Sequence, residues 1–220
     1  MILLLGVAHV VDLRASLTAK LREFAPGAIA LDLDPDRLQS LVERARDPSA
    51  AHTRARAPVI LRLWSSVQER LASEMGEMPG AEMLIAMEVA RELGIPTFLI
   101  DDPLQQVAPR LLHDLTPKER VQLLISSVIA LFVPARVVKR ELQNYTEERE
   151  QYMAAMREQF PTVTRVLLDE RNGHMADRLA ALGTKYERVV AVLGDAHLSG
   201  IEALLRPRAE VQTSHLVVPG

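Results

Sequence analysis

Two histidines are introduced by the same short pattern at opposite ends of the chain. Leu5-Gly-Val-Ala-His9 follows the apolar run Met1–Leu5, and Leu193-Gly-Asp-Ala-His197 follows Val189–Leu193. Each copy is a run of Val, Ile, Leu and Ala, then Gly-x-x-His, then a helical pattern. A neutral imidazole can hold a divalent ion or accept a proton, and carboxylates are its usual partners in both roles. Carboxylates occur at the right places: Asp32, Asp101 and Asp102 end apolar runs, and Glu82 opens a helix two residues after Gly80. Asp169-Glu170-Arg171 lies in a helical stretch before the second histidine, and Asp195 sits inside the second Gly-x-x-His. His with Asp or Glu is the donor set of hydrolytic metal sites, where a bound water becomes a nucleophile near neutral pH. The same residues without metal suit a His general base, and Arg171 could stabilise a developing oxyanion.

The elements that must position these residues are set by hydropathy period and punctuation. A short apolar run broken by Gly and followed by helical periodicity reads as a buried parallel strand feeding a helix. Gly6 and Gly194 are then expected where the chain leaves the sheet. Ligands of open α/β sheets bind outside the carboxyl ends of the strands, so both histidines are expected at one site. Leu13, Leu17, Leu21 and Phe24 mark a helix seam, Ala28–Leu33 a second strand, and Asp34-Pro35 a helix start running to about Arg46. Val59–Met75, with the single Trp64, reads as a helix; Gly80–Leu93 is another, stopped by Gly94, and Pro96–Ile100 is a third strand. Thr116-Pro-Lys-Glu119 is a capping box opening a long helical stretch that breaks at Pro134 and ends near Phe160. Thr162–Leu182, Leu198–Leu205 and a strand at Val211–Val217 complete the pattern.

Ordinary structural roles compete for several of these residues. Asp34, Asp101 and Asp102 precede prolines and helices, where capping is the commoner role. Glu170–Arg171 reads as a solvated charge pair, and Glu82 as a complement to a helix dipole. His52, His113, His174 and His215 have no comparable context.

The whole reads as one α/β domain, residues 1–220, with a central, mostly parallel sheet flanked by helices and a helical insertion at 116–160. The second half of the insertion is heavily charged. The first half, Val121–Val133, is apolar nearly all round, which requires burial on both faces or a partner, and a homodimer is expected.

Composition sets the outer bounds. With 48% hydrophobic and 25% charged residues over 220 positions, the chain can bury a sizeable core. A formal charge of −3 gives no basic footprint for nucleic acid. There is no Cys, which excludes thiolate nucleophiles and Cys-ligated metals. Walker, dinucleotide, HExxH and GxSxG patterns do not occur. Neither a signal peptide nor an apolar run of about 20 residues is visible, so a cytoplasmic domain is expected.

Taken in order, these landmarks resemble the TraB family, which includes the PrgY pheromone-shutdown proteins. The matching pieces are Leu5-Gly-Val-Ala-His9-Val, Ala30-Leu-Asp-Leu-Asp-Pro-Asp-Arg37, Gly80-Ala-Glu-Met-Leu-Ile-Ala-Met and Phe98-Leu-Ile-Asp-Asp102. Leu168-Asp-Glu-Arg-Asn-Gly-His-Met-Ala and Val192-Leu-Gly-Asp-Ala-His-Leu-Ser-Gly-Ile continue the series. That family is grouped with the Tiki proteases and erythromycin-esterase-like proteins, an α/β superfamily with paired Gly-x-x-His motifs. The resemblance implies a metal-dependent peptidase. His9, His197, Glu82 and Glu170 would hold a divalent ion such as zinc, manganese or cobalt, with Asp32, Glu82, Glu170 and Arg171 as catalytic residues. It also implies a peptide partner, and archaeal relatives often continue into C-terminal membrane segments. Two positions depart from the pattern: the family usually has Glu in place of Asp32 and Arg in place of Asp102. They motivate an alternative in which the chain binds or sequesters peptides without cleaving them.

Overall fold

The computed structural model describes residues 1–7, 13–46, 80–132, 137 and 150–216. The expected helix at 59–75 and the break at Pro134 lie outside them, as does His9. Five strands form one parallel sheet: β1 (Ile2–Val7), β2 (Ala28–Leu31), β3 (Thr97–Leu99), β4 (Val189–Gly194) and β5 (Val211–Leu216). Their order is β3-β2-β4-β1-β5, and every pairing is parallel. The three inner strands β1, β2 and β4 are Val, Ile, Leu and Ala runs because both faces of a parallel sheet are covered there, so alternation with polar residues disappears. The edge strands β3 (Thr-Phe-Leu) and β5 (Val-Gln-Thr-Ser-His-Leu) are less buried and carry polar residues. Ile2 to Leu5 and Val189 to Leu193 are all buried.

Successive side chains point to opposite faces and enter two cores. Leu3, Leu5, Ile29, Leu31, Val190 and Val192 meet α1 (Leu13–Phe24), α2 (Pro35–Arg46) and α3 (Ala81–Glu92). Ile2, Leu4, Ala30, Val189, Ala191 and Leu193 meet Met175, Leu179, Leu198 and Ile201 on the other face. Each fully buried Leu or Ile contributes about 1.5–3 kcal/mol, so these layers dominate the stability of the fold. The seam Leu17, Leu21 and Phe24 is buried as its spacing requires.

A third cluster joins α4 (Leu104–Asp114), α5 (Pro117–Phe132) and a helix over residues 150–159 to α6 (Pro161–Thr164). Its members include Val107, Leu111, Leu123, Val163 and Val166. The capping box is present: Glu119 N–H donates to Thr116 Oγ1 at 3.2 Å, and Thr116 N–H to Glu119 Oε2 at 3.1 Å. Glu119 Oε1 also accepts from Thr162 N–H at 2.7 Å, tying α5 to the start of α6. Only one face of α5 is buried, contrary to the all-round apolar reading. Val121, Leu124, Ile125, Val128 and Ile129 are exposed, while Leu123 and Ser127 face inward.

Beyond α6 the helix passes through a π-helical stretch, Arg165–Asp169, into α7 (Glu170–Gly183). After β4 comes α8 (Asp195–Leu205). The helices after β1 and β4 pack on opposite faces of adjacent strands, which places the topological switch between them. In sheets of this topology ligands bind outside the carboxyl ends of the strands at the switch, here β4 and β1.

Candidate functional site

The register of β1 and β4 brings the glycines of the two Gly-x-x-His units onto adjacent strands, with Gly6 opposite Leu193 and Val7 opposite Gly194. The glycines lie within the strand ends, not in turns, and neither has a positive φ. Their role is close approach. A Cβ on Gly6 would stand 2.7 Å from Leu198 Cδ2, and one on Gly194 would stand 3.2 Å from Asp32 Oδ2. Gly194 can therefore donate its N–H to Asp32 Oδ2 at 3.1 Å.

His197 lies in the first turn of α8 and is buried. Its Nδ1–H donates to Asn172 Oδ1 at 2.7 Å, which fixes the tautomer and leaves the Nε2 lone pair 3.9 Å from Asp32 Oδ2. Burial pushes the imidazole below its ordinary value, and the Arg171 and Arg37 charges add to that, outweighing Asp32 and Asp101. Asn172 fits because α8 carries Gly200 opposite it; a Cβ there would collide with Asn172 Nδ2.

Two arginines bracket the carboxylates. Arg171 donates from Nε to Asp101 Oδ1 at 2.8 Å and from Nη2 to Asp101 Oδ2 at 2.6 Å, a bidentate clamp. Its Nη2 also lies 3.5 Å from Asp32 Oδ1. Arg37 donates to Asp101 Oδ2 at 2.7 Å and lies 3.6 Å from Asp32 Oδ1. Burial works to raise the Asp101 carboxyl, but the Arg171 hydrogen bonds and the two guanidinium charges outweigh it, and the group is held below its ordinary value. Glu82 shows the opposite balance: burial, reinforced by Asp32, raises its carboxyl despite backbone hydrogen bonds and Arg37.

The π stretch sets which α7 side chains face this cluster. It adds a residue to the turn and rotates the succeeding side chains by about 100° relative to a regular helix. Arg171 Nη1 takes up a carbonyl from that stretch, Leu167 O, at 2.8 Å. Arg171 and Asn172 therefore reach the sheet edge, and Arg171 is not the solvated partner of Glu170.

Of the residues singled out in the sequence, Asp32, Asp101, Arg171 and His197 come together, and Glu82 lies within electrostatic reach of Asp32 and Arg37. Glu170 instead pairs with Arg110 and Arg165. Asp34 caps α2 as expected, Oδ1 accepting from Asp36 N–H at 2.9 Å and Arg37 N–H at 3.1 Å. Asp101 and Asp102 do not cap: the residue before α4 is Pro103, and no side chain caps that helix. Asp102 pairs with His174 and, at 2.9 Å, with Arg178. Sequence reasoning did not single out Arg37 or Asn172, and it favoured a capping role for Asp101. Their strand-end and helix-start positions were visible, but their partners lie 25 to 70 residues away.

Among the described residues, no three His, Asp or Glu side chains converge closely enough to hold a metal ion. His197 Nε2 and Asp32 Oδ2, 3.9 Å apart, offer two donors, and Glu82 is a further carboxyl within electrostatic reach of Asp32. These are the N and O types that borderline divalent ions take, and the Asn172 brace at Nδ1 is the outer support such an imidazole needs. The donor chemistry fits. A cleft of about 300 Å³ bounded by Met1, Phe24 and Arg188 lies at the opposite end of the strands and gathers no histidine.

A family model described as TraB/PrgY/gumN matches residues 1–209. The chain belongs to the TraB/PrgY/gumN family. It is also similar to "Uncharacterized protein MJ1365" of Methanocaldococcus jannaschii, with 28% identity over 211 residues, covering 93% of this chain. The chain spans about half, 53%, of that relative's length. The resemblance read from the Gly-x-x-His units is thus a family membership, and the α/β fold expected from it is the fold observed. No described helix is long and apolar enough to cross a membrane.

Proposed function

We propose that this chain is a metal-dependent hydrolase acting on peptides, with its site at the carboxyl ends of β4 and β1. The observation that carries the reading is the His197–Asp32 pair: a buried imidazole braced by Asn172, its Nε2 3.9 Å from a carboxylate oxygen. His9, two residues beyond Val7 on the neighbouring strand, is the natural companion. His197, His9 and Asp32 would hold a zinc, manganese or cobalt ion, with Glu82 beside them as the carboxylate that handles the proton. Glu170, engaged by Arg110 and Arg165, would have to exchange those partners to join them. When bound, the ion would supply Lewis acidity toward water or the scissile carbonyl.

The chain's own residues do the rest. Asn172 orients His197, and Gly194 N–H with Arg171 and Arg37 fixes the rotamer of Asp32. Glu82, its carboxyl held above its ordinary value by burial, is suited to take a proton from water and return it. Arg171 lies where it can stabilise charge developing on a carbonyl oxygen.

A second reading has one observation in its favour. Two carboxylates, Asp32 and Asp101, are matched by two guanidinium groups, so the cluster is charge-balanced without an ion. His197 would then act as a metal-free general base. Incubation of the chain with mixed peptides, read by mass spectrometry, separates the readings. The metal reading predicts fragments that require the added ion and vanish in D32N and H197A. Cleavage that survives a chelator supports the metal-free base. Peptide binding without fragments would contradict both, leaving the sequestering role. The exposed apolar face of α5 supports a homodimer as the working form.

A further inference from the structure

Both Gly-x-x-His units pack a carboxylate–histidine pair against their glycine. At Gly194 the pair is Asp32 and His197. At Gly6 it is Asp195 and His215: a Cβ there would lie 3.2 Å from Asp195 Oδ1 and 3.3 Å from His215 Nδ1. His215 lies on β5 directly opposite Gly6, and its Nδ1–H donates to Asp195 Oδ1 at 3.1 Å. Asp195 is the first residue of α8, two before His197. One helical turn thus holds His197 on one side and supports His215 on the other.

All five strands are parallel, so His215 belongs to the same edge as Asp32 and His197. β4 and β5 flank β1, which sets the strand that leads into α8 and the strand of His215 about 10 Å apart, two strand spacings. His215 is 43% exposed at its side chain while Asp195 is 14% exposed, so the imidazole is open to a ligand and its anchor is sheltered. The family match ends at residue 209, before His215.

We propose that His215, anchored by Asp195, is a catalytic acid of this site, giving a proton to the departing amine of a peptide laid across the sheet edge. The proposal rests on the hydrolytic reading above. Water adds its oxygen to the scissile carbonyl carbon, and its proton goes to a base on the Asp32 side. The C–N bond then breaks, and the amine nitrogen takes the Nε2 proton of protonated His215. The ring is left neutral and regains a proton from solvent. Asp195 keeps the Nδ1–H throughout, so the proton transferred is the one on Nε2.

The test compares a peptide amide with the corresponding peptide p-nitrophenyl ester, whose phenolate leaves without an acid. Steady-state rates are measured for the parent chain, H215Q and D195N. Loss of a general acid is expected to lower amide turnover about 100-fold in H215Q, leave ester turnover within a few-fold, and shift D195N the same way by less. Equal losses on both substrates, or an unchanged amide rate, overturn the assignment of His215 while the hydrolase stands. A parent inert toward both substrates overturns the hydrolytic reading and this inference together. If H215Q does not fold by circular dichroism, the same split is required of D195N, and its absence overturns the proposal.

Discussion

At the scale of single residues, the site is a set of charges that each depend on a remote partner. Asp101 serves two guanidinium groups, and Arg171 is largely shielded from water. Truncation as Asp101→Ala would strand a buried cation, and we expect it to cost about 3 kcal/mol, read as a lower urea midpoint at unchanged slope. His197 gives a pH signature. Its folded value lies below the ordinary 6.5, so the unfolded chain binds the proton first as pH falls. Stability from this group is therefore present above about pH 6.5 and lost as pH falls through that value toward the folded one. In the metal-free chain, H197Q should flatten that part of the stability–pH curve; an unchanged slope would contradict a buried neutral imidazole. Little of this was legible in the sequence. His9, His197, Asp32, Glu82 and Arg171 stood out by type and position, but Asp101 looked like a helix cap because it opens the Asp-Asp-Pro run between a strand and a helix.

At the scale of elements, more was legible, because local pattern suffices there. The inner strands were visible as Val, Ile, Leu and Ala runs, the Thr116–Glu119 box by its spacing, and Gly94 as a helix stop, which it fulfils at φ 67°. What local pattern could not reveal was the π stretch at Arg165–Asp169, which shifts the helical phase just where the site begins. Nor did it reveal that Gly6, Gly194 and Gly200 are small because another element presses on them. That difference has a consequence for mutation. Gly200→Ala would thrust a methyl into Asn172, and the overpacking is expected to cost about 1–3 kcal/mol. It should also release His197 from its brace, seen as a changed imidazole nitrogen spectrum. Retention of both the melting temperature and the spectrum would show that α7 and α8 can separate freely. Glu119→Ala removes a capping box and the tie to Thr162 together, and a loss of about 1–2 kcal/mol is expected from thermal unfolding.

At the scale of the molecule, strand order was the missing quantity. Hydropathy placed β1 and β4 in a parallel sheet, but only the order β3-β2-β4-β1-β5 makes them neighbours and puts the switch point between them. The apolar stretch 121–133 was recognisable, while its division into a buried and an open face depends on how α4 and α6 pack against it. If a second copy covers the open face, sedimentation should show a dimer that I125E with I129E converts to monomer; a monomeric parent would remove that interface. The central claim concerns the site as a whole, and metal content with metal titration, performed on the parent, H9A and H197A, tests it most directly. One ion per chain, lost in both variants while the fold persists, is the expected result. A parent that binds no zinc, manganese or cobalt at stoichiometric concentration would contradict it.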